Sequence, residues 1–493
     1  MRLGEAETCR SRRGAMVERG RMDLRLYRRA SVLVVAGLAL LTAYAPALSD
    51  PAAGRVFVDT NGNGRLDPGE KGLAGVPVTD GLTVVRTDTE GRYALDAKID
   101  AALLADTRAI LTVTFPSGYW PTAGWMRRLS DAADTAAIHF ALRTEEQRLP
   151  FVFIHGSDPH IPRGGAALFP RFRDEVRDLA GPPRFCILTG DMVDASDRMS
   201  RTYGLRDYRL VDQGVRGFPV PLFCLPGNHD LAGSLARSLW DPKDPLYLYG
   251  MHWKFVGPLR WSFNYGGYHF VGVDFMDRDR TAWRMRAPAT AMAWLKADLD
   301  LVPKDTPVLF FIHYPLGPPE LLPLLREHGV RQVFAGHTHT DAAFVQNGVP
   351  VLLSGSISQT GGDRLPGYRL VLVGEKGIET FYKATGDPHA VTLDWPREKD
   401  VLGSRPTIRG AFLDSAGEVD RLTVRVGDVE RPVEFRRTPI CCRFEAPLDL
   451  TSLAPGPHPL AVVLSGGGKD WRFQRTVRVD PARNLTTTSR AAS

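Results

Sequence analysis

Phe151-Val152-Phe153-Ile154-His155-Gly156-Ser157-Asp158-Pro159-His160 sets an apolar run just before an Asp-x-His pair. Four more junctions of the same kind follow. Phe185-Cys186-Ile187-Leu188 leads into Gly190-Asp191-Met192-Val193-Asp194, and Leu222-Phe223-Cys224-Leu225 into Gly227-Asn228-His229-Asp230. Val308-Leu309-Phe310-Phe311-Ile312 ends at His313, and Val333-Phe334-Ala335 at Gly336-His337-Thr338-His339. Short, uniformly apolar runs suit strands covered on both faces, and their C-terminal ends are where an α/β protein gathers its chemistry. Asp, Asn and His concentrated at five such ends imply a metal site. Each cluster alone is a weak signal, because a single Asp-x-His pair is more often structural than ligating. Their order carries the weight.

In that order the clusters resemble the calcineurin-like metallophosphoesterase superfamily, whose pattern is D-x-H, GD, GNH(D/E), H and G-H-x-H. Every position is matched, over about 235 residues between 149 and 383. The resemblance implies a central α/β domain of two facing mixed sheets flanked by helices. It also implies two divalent transition metal ions, Mn, Fe or Zn, since carboxylate and amide oxygens mixed with imidazoles suit those metals. One ion would take Asp158, His160, Asp191 and His339. The other would take Asp191, Asn228, His313 and His337, with Asp191 shared. Two ions about 3.5–4 Å apart clamp the phosphoryl oxygens and lower the pKa of a shared water. The implied reaction is attack of a metal-bridging hydroxide on a phosphate ester, with His229 protonating the leaving oxygen and Asp230 orienting the His229 ring. Purple acid phosphatases place a Tyr three residues after the bridging Asp. Here that position is Asp194, which removes the charge-transfer ligand; it is read either as an outer partner of the metal site or, in preference, as the cap of the following helix.

The chain has 493 residues, 43% hydrophobic and 24% charged, which is ordinary globular composition and long enough for about three domains. Its net charge of +6 is uneven: residues 1–47 hold nine arginines against four acids, and the remainder carries a net of only +1. The later part has no nucleic-acid footprint. Arg25, Arg28 and Arg29 precede an uncharged stretch, residues 30–49, with Ala45-Pro46-Ala47 near its end. That is the order of a secretory signal peptide, assigned to residues 1–48, and it predicts a periplasmic or secreted protein. Left uncleaved, the same stretch would be the chain's only membrane contact. Five cysteines make no disulfide framework: Cys186 and Cys224 read as core thiols, and the adjacent Cys441 and Cys442 as alternating sides of a strand.

Residues 49–148 read as a β-sandwich, with strand-like pieces at 76–78, 82–85, 93–95 and 110–114 separated by turns. Residues 115–148 read as a loosely ordered bridge, with Ala137-Ile138-His139-Phe140 as a last strand. Asp59, Asn61, Asn63, Arg65, Asp67 and Glu70 match the EF-hand calcium loop position by position, Arg65 through its carbonyl, with Gly64 at the sharp turn. The stretch from residue 54 to 95 resembles the B-type domains of serine-aspartate-repeat surface proteins, which implies structural Ca²⁺. The alternative is an Asn/Gly-rich hairpin turn that needs no ion.

The central domain is assigned to 149–390, with helices predicted over 169–179, 201–211 and 291–299 and a hairpin over 261–274 turning at Gly266-Gly267. Pieces at 351–353, 369–373 and 379–382 are expected to complete its second sheet. The aromatic insertion at 231–258 fits either a cleft wall or a small side core. His155 and Asp274 are read as structural. Arg163, Arg201, Arg280 and Arg284 are read equally as cations that reach the cleft or as solvated surface. Residues 391–480 alternate in a second, immunoglobulin-like β-sandwich, and 481–493 read as a disordered tail.

Two functions of different classes follow. The first is a secreted phosphoesterase acting on small phosphate esters, leaning to phosphodiesters, with phosphomonoesterase or phosphoprotein phosphatase as the alternative. The second is a non-catalytic surface binding protein on a phosphoesterase scaffold. A scaffold has no need for so many convergent polar groups, each costly to bury, and this favours the enzyme.

Overall fold

The computed structural model describes residues 52–95, 110–129, 137–162, 165–179, 181–235, 238–278, 283–285, 288–315, 317–359, 365–397, 400–414 and 416–483. Residues 1–48, read as a signal peptide, Arg163, Arg280 and residues 484–493 of the predicted tail lie outside these. Among the described residues no helix is long and apolar enough to cross a membrane.

The phenylalanine-rich runs at the centre form strands of two sheets. In the five-stranded sheet the order is Leu222–Cys224, Cys186–Leu188, Phe151–Gly156, Gly367–Gly374 and Gly377–Ala384. The first three are parallel, and their register sets Gly156, Leu188 and Cys224 side by side, so the three loops that follow leave from one edge. The six-stranded sheet runs Arg260–Tyr265, Tyr268–Val273, Val308–Phe311, Val330–Ala335, Val349–Leu353 and Ala342–Gln346. Its hairpin turns at Gly266-Gly267, both at positive φ, as the Gly-Gly pair predicts. Phe153, Phe185, Phe263, Phe270, Phe311 and Phe334 fill the space between the sheets. Helices Gly165–Asp178 and Arg201–Arg216 pack on the five-stranded sheet, through Phe169, Phe172, Val176, Tyr208 and Val211. Helices Ala289–Leu299 and Leu321–Glu327 pack on the six-stranded one.

One expectation about the sheets is corrected. The pieces after His339 do not all complete the second sheet: Val349–Leu353 does, whereas Gly367–Gly374 and Gly377–Ala384 cross back to join Phe151–Gly156. An apolar run declares itself a strand, but its partner is chosen by whichever edge is left unpaired.

The N-terminal sandwich stacks Arg92–Leu95, Ala52–Val58, Phe140–Thr144 and Tyr119–Pro121 against Val84–Arg86, Pro77–Thr79, Ile110–Val113 and Met126–Arg128. The stretch expected to be a loose bridge thus supplies strands to both sheets. These three-residue strands hold because their aromatics are anchored in the central core. Trp120 stacks on Phe185 at 6.2 Å, Trp125 packs on Phe223 at 4.9 Å and Phe115 stacks on Phe263 at 5.2 Å. Buried hydrogen bonds cross the same boundary, from Trp294 Nε1 to Thr79 and from Arg260 to the Gly81 carbonyl.

After Val391 the chain makes two further sheets, of four and five strands, around Leu422, Val424, Phe444, Leu460 and Val462. Cys441 faces the central domain's core and Cys442 the core of this sandwich, both as free thiols, which agrees with alternating sides of a strand. The aromatic insertion closes a side core: Trp240 is buried against Gly204, Phe255 stacks on Tyr208, and Trp253 packs with Ile110 and Leu259.

Candidate metal centre

The strand ends of both sheets converge on one point. From the five-stranded sheet come Asp158 and His160 after Gly156, Asp191 after Leu188, and Asn228 and His229 on the 3₁₀ turn Asn228–Asp230. From the six-stranded sheet come His313 after Phe311, and His337 and His339 after Ala335. The backbone there is under strain. Of seven non-glycine residues with positive φ among those described, five are Asp158, His160, Asp191, His337 and His339. Such conformations are disfavoured for side chains with a Cβ and persist where the surroundings over-determine them, typically at functional sites. Two glycines permit the close approach. A Cβ on Gly227 would lie 2.2 Å from Asp191 Oδ1, and one on Gly336 would lie 1.8 Å from Ser157 Oγ. Ser356 and Ser358, which the motifs do not include, donate to the Asp158 carbonyl at 2.7 and 3.3 Å and hold that residue's conformation.

The side-chain atoms are spaced as ligands are. Asp158, His160 and His339 form one group and Asp191, His313 and His337 another, with ligand atoms within 4.8 Å of one another in each. Asp191 also groups with His160 and His229. Its Oδ2 lies 3.9 Å from His160 Nε2 and 3.4 Å from His313 Nε2, so one carboxylate faces both sides. Asn228 Oδ1 is 3.2 Å from His313 Nε2.

The residues fit a cationic guest. Asp158 Oδ1 is buried with no hydrogen-bond donor in place, facing His339 Nε2 at 3.3 Å and His160 Nε2 at 3.6 Å. Those two imidazole nitrogens face each other at 3.0 Å, an arrangement that a shared cation reconciles. His313 Nδ1 donates to the Thr189 carbonyl at 2.6 Å, which turns Nε2 toward Asp191, the usual orientation of a ligating histidine.

Burial works against ionised Asp158, but His160 and His339 hold its carboxyl well below the usual range, and His313 does the same, less strongly, for Asp191. Burial opposes charging of His313, yet Asp191 outweighs it and holds the imidazole up at about 10. His337 goes the other way, to about 4, through burial and the nearby His313.

His229 belongs to the third group, with Asp191 and His160, and to neither of the other two. Its Nε2 is 4.0 Å from Asp191 Oδ2, while Nδ1 faces Arg198 at 3.1 Å and Asp197 Oδ2 at 3.4 Å. Burial opposes its charging, but the Asp197 contact and the field of Asp191 hold it up at about 9. Asp230 does not orient this ring. Its carboxylate turns inward and accepts from the backbone N–H groups of Gly227 at 2.7 Å, Met192 at 3.1 Å and Val193 at 3.1 Å. Successive residues of a 3₁₀ turn diverge by about 120°, so adjacency in sequence separates the two side chains. Asp230 instead ties the second motif to the third, and burial together with Asp191 pushes its carboxyl up.

Asp194 does not cap the next helix, whose N-cap is Ser200. It lies 3.8 Å from His160 Nδ1 and 3.4 Å from Arg198. Asp197 and Arg198 were missed by motif reading, and their signal was the spacing of Asp191, Asp194 and Asp197 three apart. Arg201 pairs with Asp244 at 2.6 Å on the surface. His155 bonds Thr189 Oγ1 at 3.0 Å, and Asp274 accepts from the Met276 N–H at 2.9 Å, both in structural roles.

In the N-terminal loop, Asp59 accepts from the backbone of Gly62, Asn63 and Gly64 at 2.8–3.2 Å, and Glu70 from Thr60 and Asp67 at 2.9 and 3.0 Å. The amides of Asn61 and Asn63 meet Asp67 at 2.8 and 2.7 Å, and the Arg65 N–H donates to Asn63. The six positions thus fold into one closed loop.

Residues 151–341 match the calcineurin-like phosphoesterase family, and residues 60–153 match the N terminal of calcineurin-like phosphoesterase. The chain is 27% identical over 270 residues to serine/threonine-protein phosphatase CPPED1 of Danio rerio, covering 46% of this chain and 83% of that protein. It is 25% identical over 262 residues to the probable glycerophosphodiester phosphodiesterase GpdQ of Arcobacter nitrofigilis, covering 48% and 82%. Among solved structures it is similar to GAP50, the anchor in the inner membrane complex of Plasmodium, at 15% identity and a TM-score of 0.35, over 48% of this chain and 85% of that one.

Proposed function

We propose, from the premise that this chain is a calcineurin-like phosphoesterase and hence a metal-dependent hydrolase of phosphoric esters, that its preferred substrates are small phosphodiesters. One observation carries the preference. Arg198, the described cation that reaches the cluster, is already engaged by Asp197 at 3.2 Å and Asp194 at 3.4 Å. A diester brings one negative charge to the site and a monoester dianion nearly two, so the dianion asks for a cation that Arg198 has committed elsewhere.

Asp158, His160, Asp191 and His339 would hold one divalent ion, and Asp191, Asn228, His313 and His337 the other. When bound, the two ions supply charge neutralisation of the phosphoryl oxygens and acidification of the attacking water. His229 supplies the proton for the other end of the reaction. As imidazolium, with Nδ1–H toward Asp197, it transfers the Nε2 proton to the leaving oxygen while the P–O bond breaks. The ring then remains neutral on Asp197.

A second reading, a phosphomonoesterase or phosphoprotein phosphatase, draws on the similarity to the serine/threonine-protein phosphatases. Rates on bis(p-nitrophenyl) phosphate against p-nitrophenyl phosphate, with Mn²⁺, Fe²⁺ or Zn²⁺, separate the two. Higher kcat/KM for the diester is expected, and a monoester preference overturns it. The basic and apolar order of residues 25–49 supports an extracytoplasmic location, tested by N-terminal sequencing of protein from the periplasm or medium. The closed loop from Asp59 to Glu70 supports structural Ca²⁺.

A further inference from the structure

We propose that Arg369 is a positioning residue that locks the loop carrying His339 to the opposite sheet, and so sets the affinity of the ion His339 would hold. The inference rests on the dinuclear reading given above. Arg369 belongs to the five-stranded sheet, where it pairs in register with His155, and it is buried. Its guanidinium reaches across to the other sheet. Nε and one terminal nitrogen donate to the Leu353 carbonyl at 3.1 and 3.0 Å, at the end of the Val349–Leu353 strand. The other terminal nitrogen donates to Thr380 Oγ1 at 2.9 Å, back in its own sheet. The remaining partner is Asp341, whose side chain is also almost wholly covered, in a direct ion pair.

Asp341 lies two residues after His339, and this makes the pair more than a core contact. The loop from Gly336 to Asp341 holds two residues at φ of 68° and 55°, His337 and His339, which an isolated segment would rarely adopt. Its start is pinned by the Gly336 N–H on the His313 carbonyl at 2.9 Å and the His337 N–H on Asp158 at 2.9 Å. Its end is pinned by Arg369. The other proposed ligands of that ion, Asp158, His160 and Asp191, come from Arg369's own sheet, so the guanidinium fixes the distance between the two halves of one coordination sphere. Outer partners of metal ligands commonly govern affinity by about 10–100-fold.

The test titrates Mn²⁺ into metal-free full-length protein and follows apoprotein melting alongside. Arg369→Lys keeps the charge but not the fork that spans Leu353, Thr380 and Asp341, and the double change Arg369→Met with Asp341→Leu replaces the buried pair by apolar volume, a swap that cores often accept without loss of stability. Wild type is expected to take up two ions. Both variants should weaken one of the two by about 10–100-fold, the double variant while melting near wild type. Wild type that takes up fewer than two ions overturns the dinuclear reading itself. Two ions in wild type with both isotherms unchanged in the variants overturns the latch alone, and Arg369→Lys decides the matter if the double variant does not fold.

Discussion

His229 presents Nε2 to the cluster and Nδ1 to Asp197, so its loss should be felt where a leaving oxygen needs a proton. With an alkyl ester, His229→Ala is expected to reduce kcat/KM by about 10²–10⁴, the usual worth of a positioned general acid. With a p-nitrophenyl ester, whose leaving group departs unprotonated, the loss should be far smaller. Asp197→Asn should show a milder form of the same dependence, and Asp230→Asn should not, because that carboxylate serves backbone N–H groups. Equal losses on both esters in the His229 variant would remove its role as acid. A pH effect follows from the ligands. His313 is held protonated up to about 10 by Asp191, whereas His337, at about 4, is already neutral at pH 7. A metal must displace the His313 proton, so affinity should rise with pH through the neutral range and loading should release protons. Calorimetry in buffers of different ionisation enthalpy measures that number, and a value of zero would show His313 outside the site. At this scale the proposed ligands were legible from motif order. Asp197, Arg198 and the inward turn of Asp230 were not, because a side chain's direction depends on the local turn.

Two loops show how an element can be pinned by its own residues or by a neighbour's. The Asp59–Glu70 loop is of the first kind, since spacing alone brings its oxygens into one ring. Millimolar Ca²⁺ is expected to raise the melting temperature of the full chain, as any ligand that binds only the folded state does, and Glu70→Gln should remove most of the rise. Identical melting of wild type and variant in Ca²⁺ would return the loop to an ordinary turn. The third-motif turn is of the second kind. Gly227 lies so close to Asp191 that Gly227→Ala would place its Cβ 2.2 Å from Oδ1. The same Cβ would meet the Asp191 backbone nitrogen at 2.3 Å, so the variant should displace Asp191 and lose ion binding, and a metal count of two in it would show that the contact yields. The hairpin at Gly266-Gly267 was readable because its turn is local. The crossing of Gly367–Gly374 to the other sheet was not, because strand partners are set by which edges remain open.

Among the described residues, one large core is shared between the N-terminal sandwich and the space between the two central sheets. Phe115, Trp120 and Trp125 come from one side and Phe153, Phe185, Phe223 and Phe263 from the other. The sandwich is therefore expected to melt with the catalytic domain, and Phe115→Ala, which empties a buried aromatic site, should cost about 3–5 kcal/mol and lower the temperature at which activity is lost. A separate, earlier calorimetric transition for the sandwich, with activity unaffected, would show the two to be independent. Sequence by itself determined the apolar strands of the central domain, the order of the five clusters and hence the family, and the calcium-like spacing of the N-terminal loop. Each of these is a local pattern, in which residue type and spacing decide what the backbone and side chains can do. Tertiary structure alone decided which sheet each late strand joins, that the N-terminal sandwich and the catalytic domain share one core, and that Asp197 rather than Asp230 faces His229. Those depend on distances between residues far apart in the chain, which only close packing of the whole fold fixes.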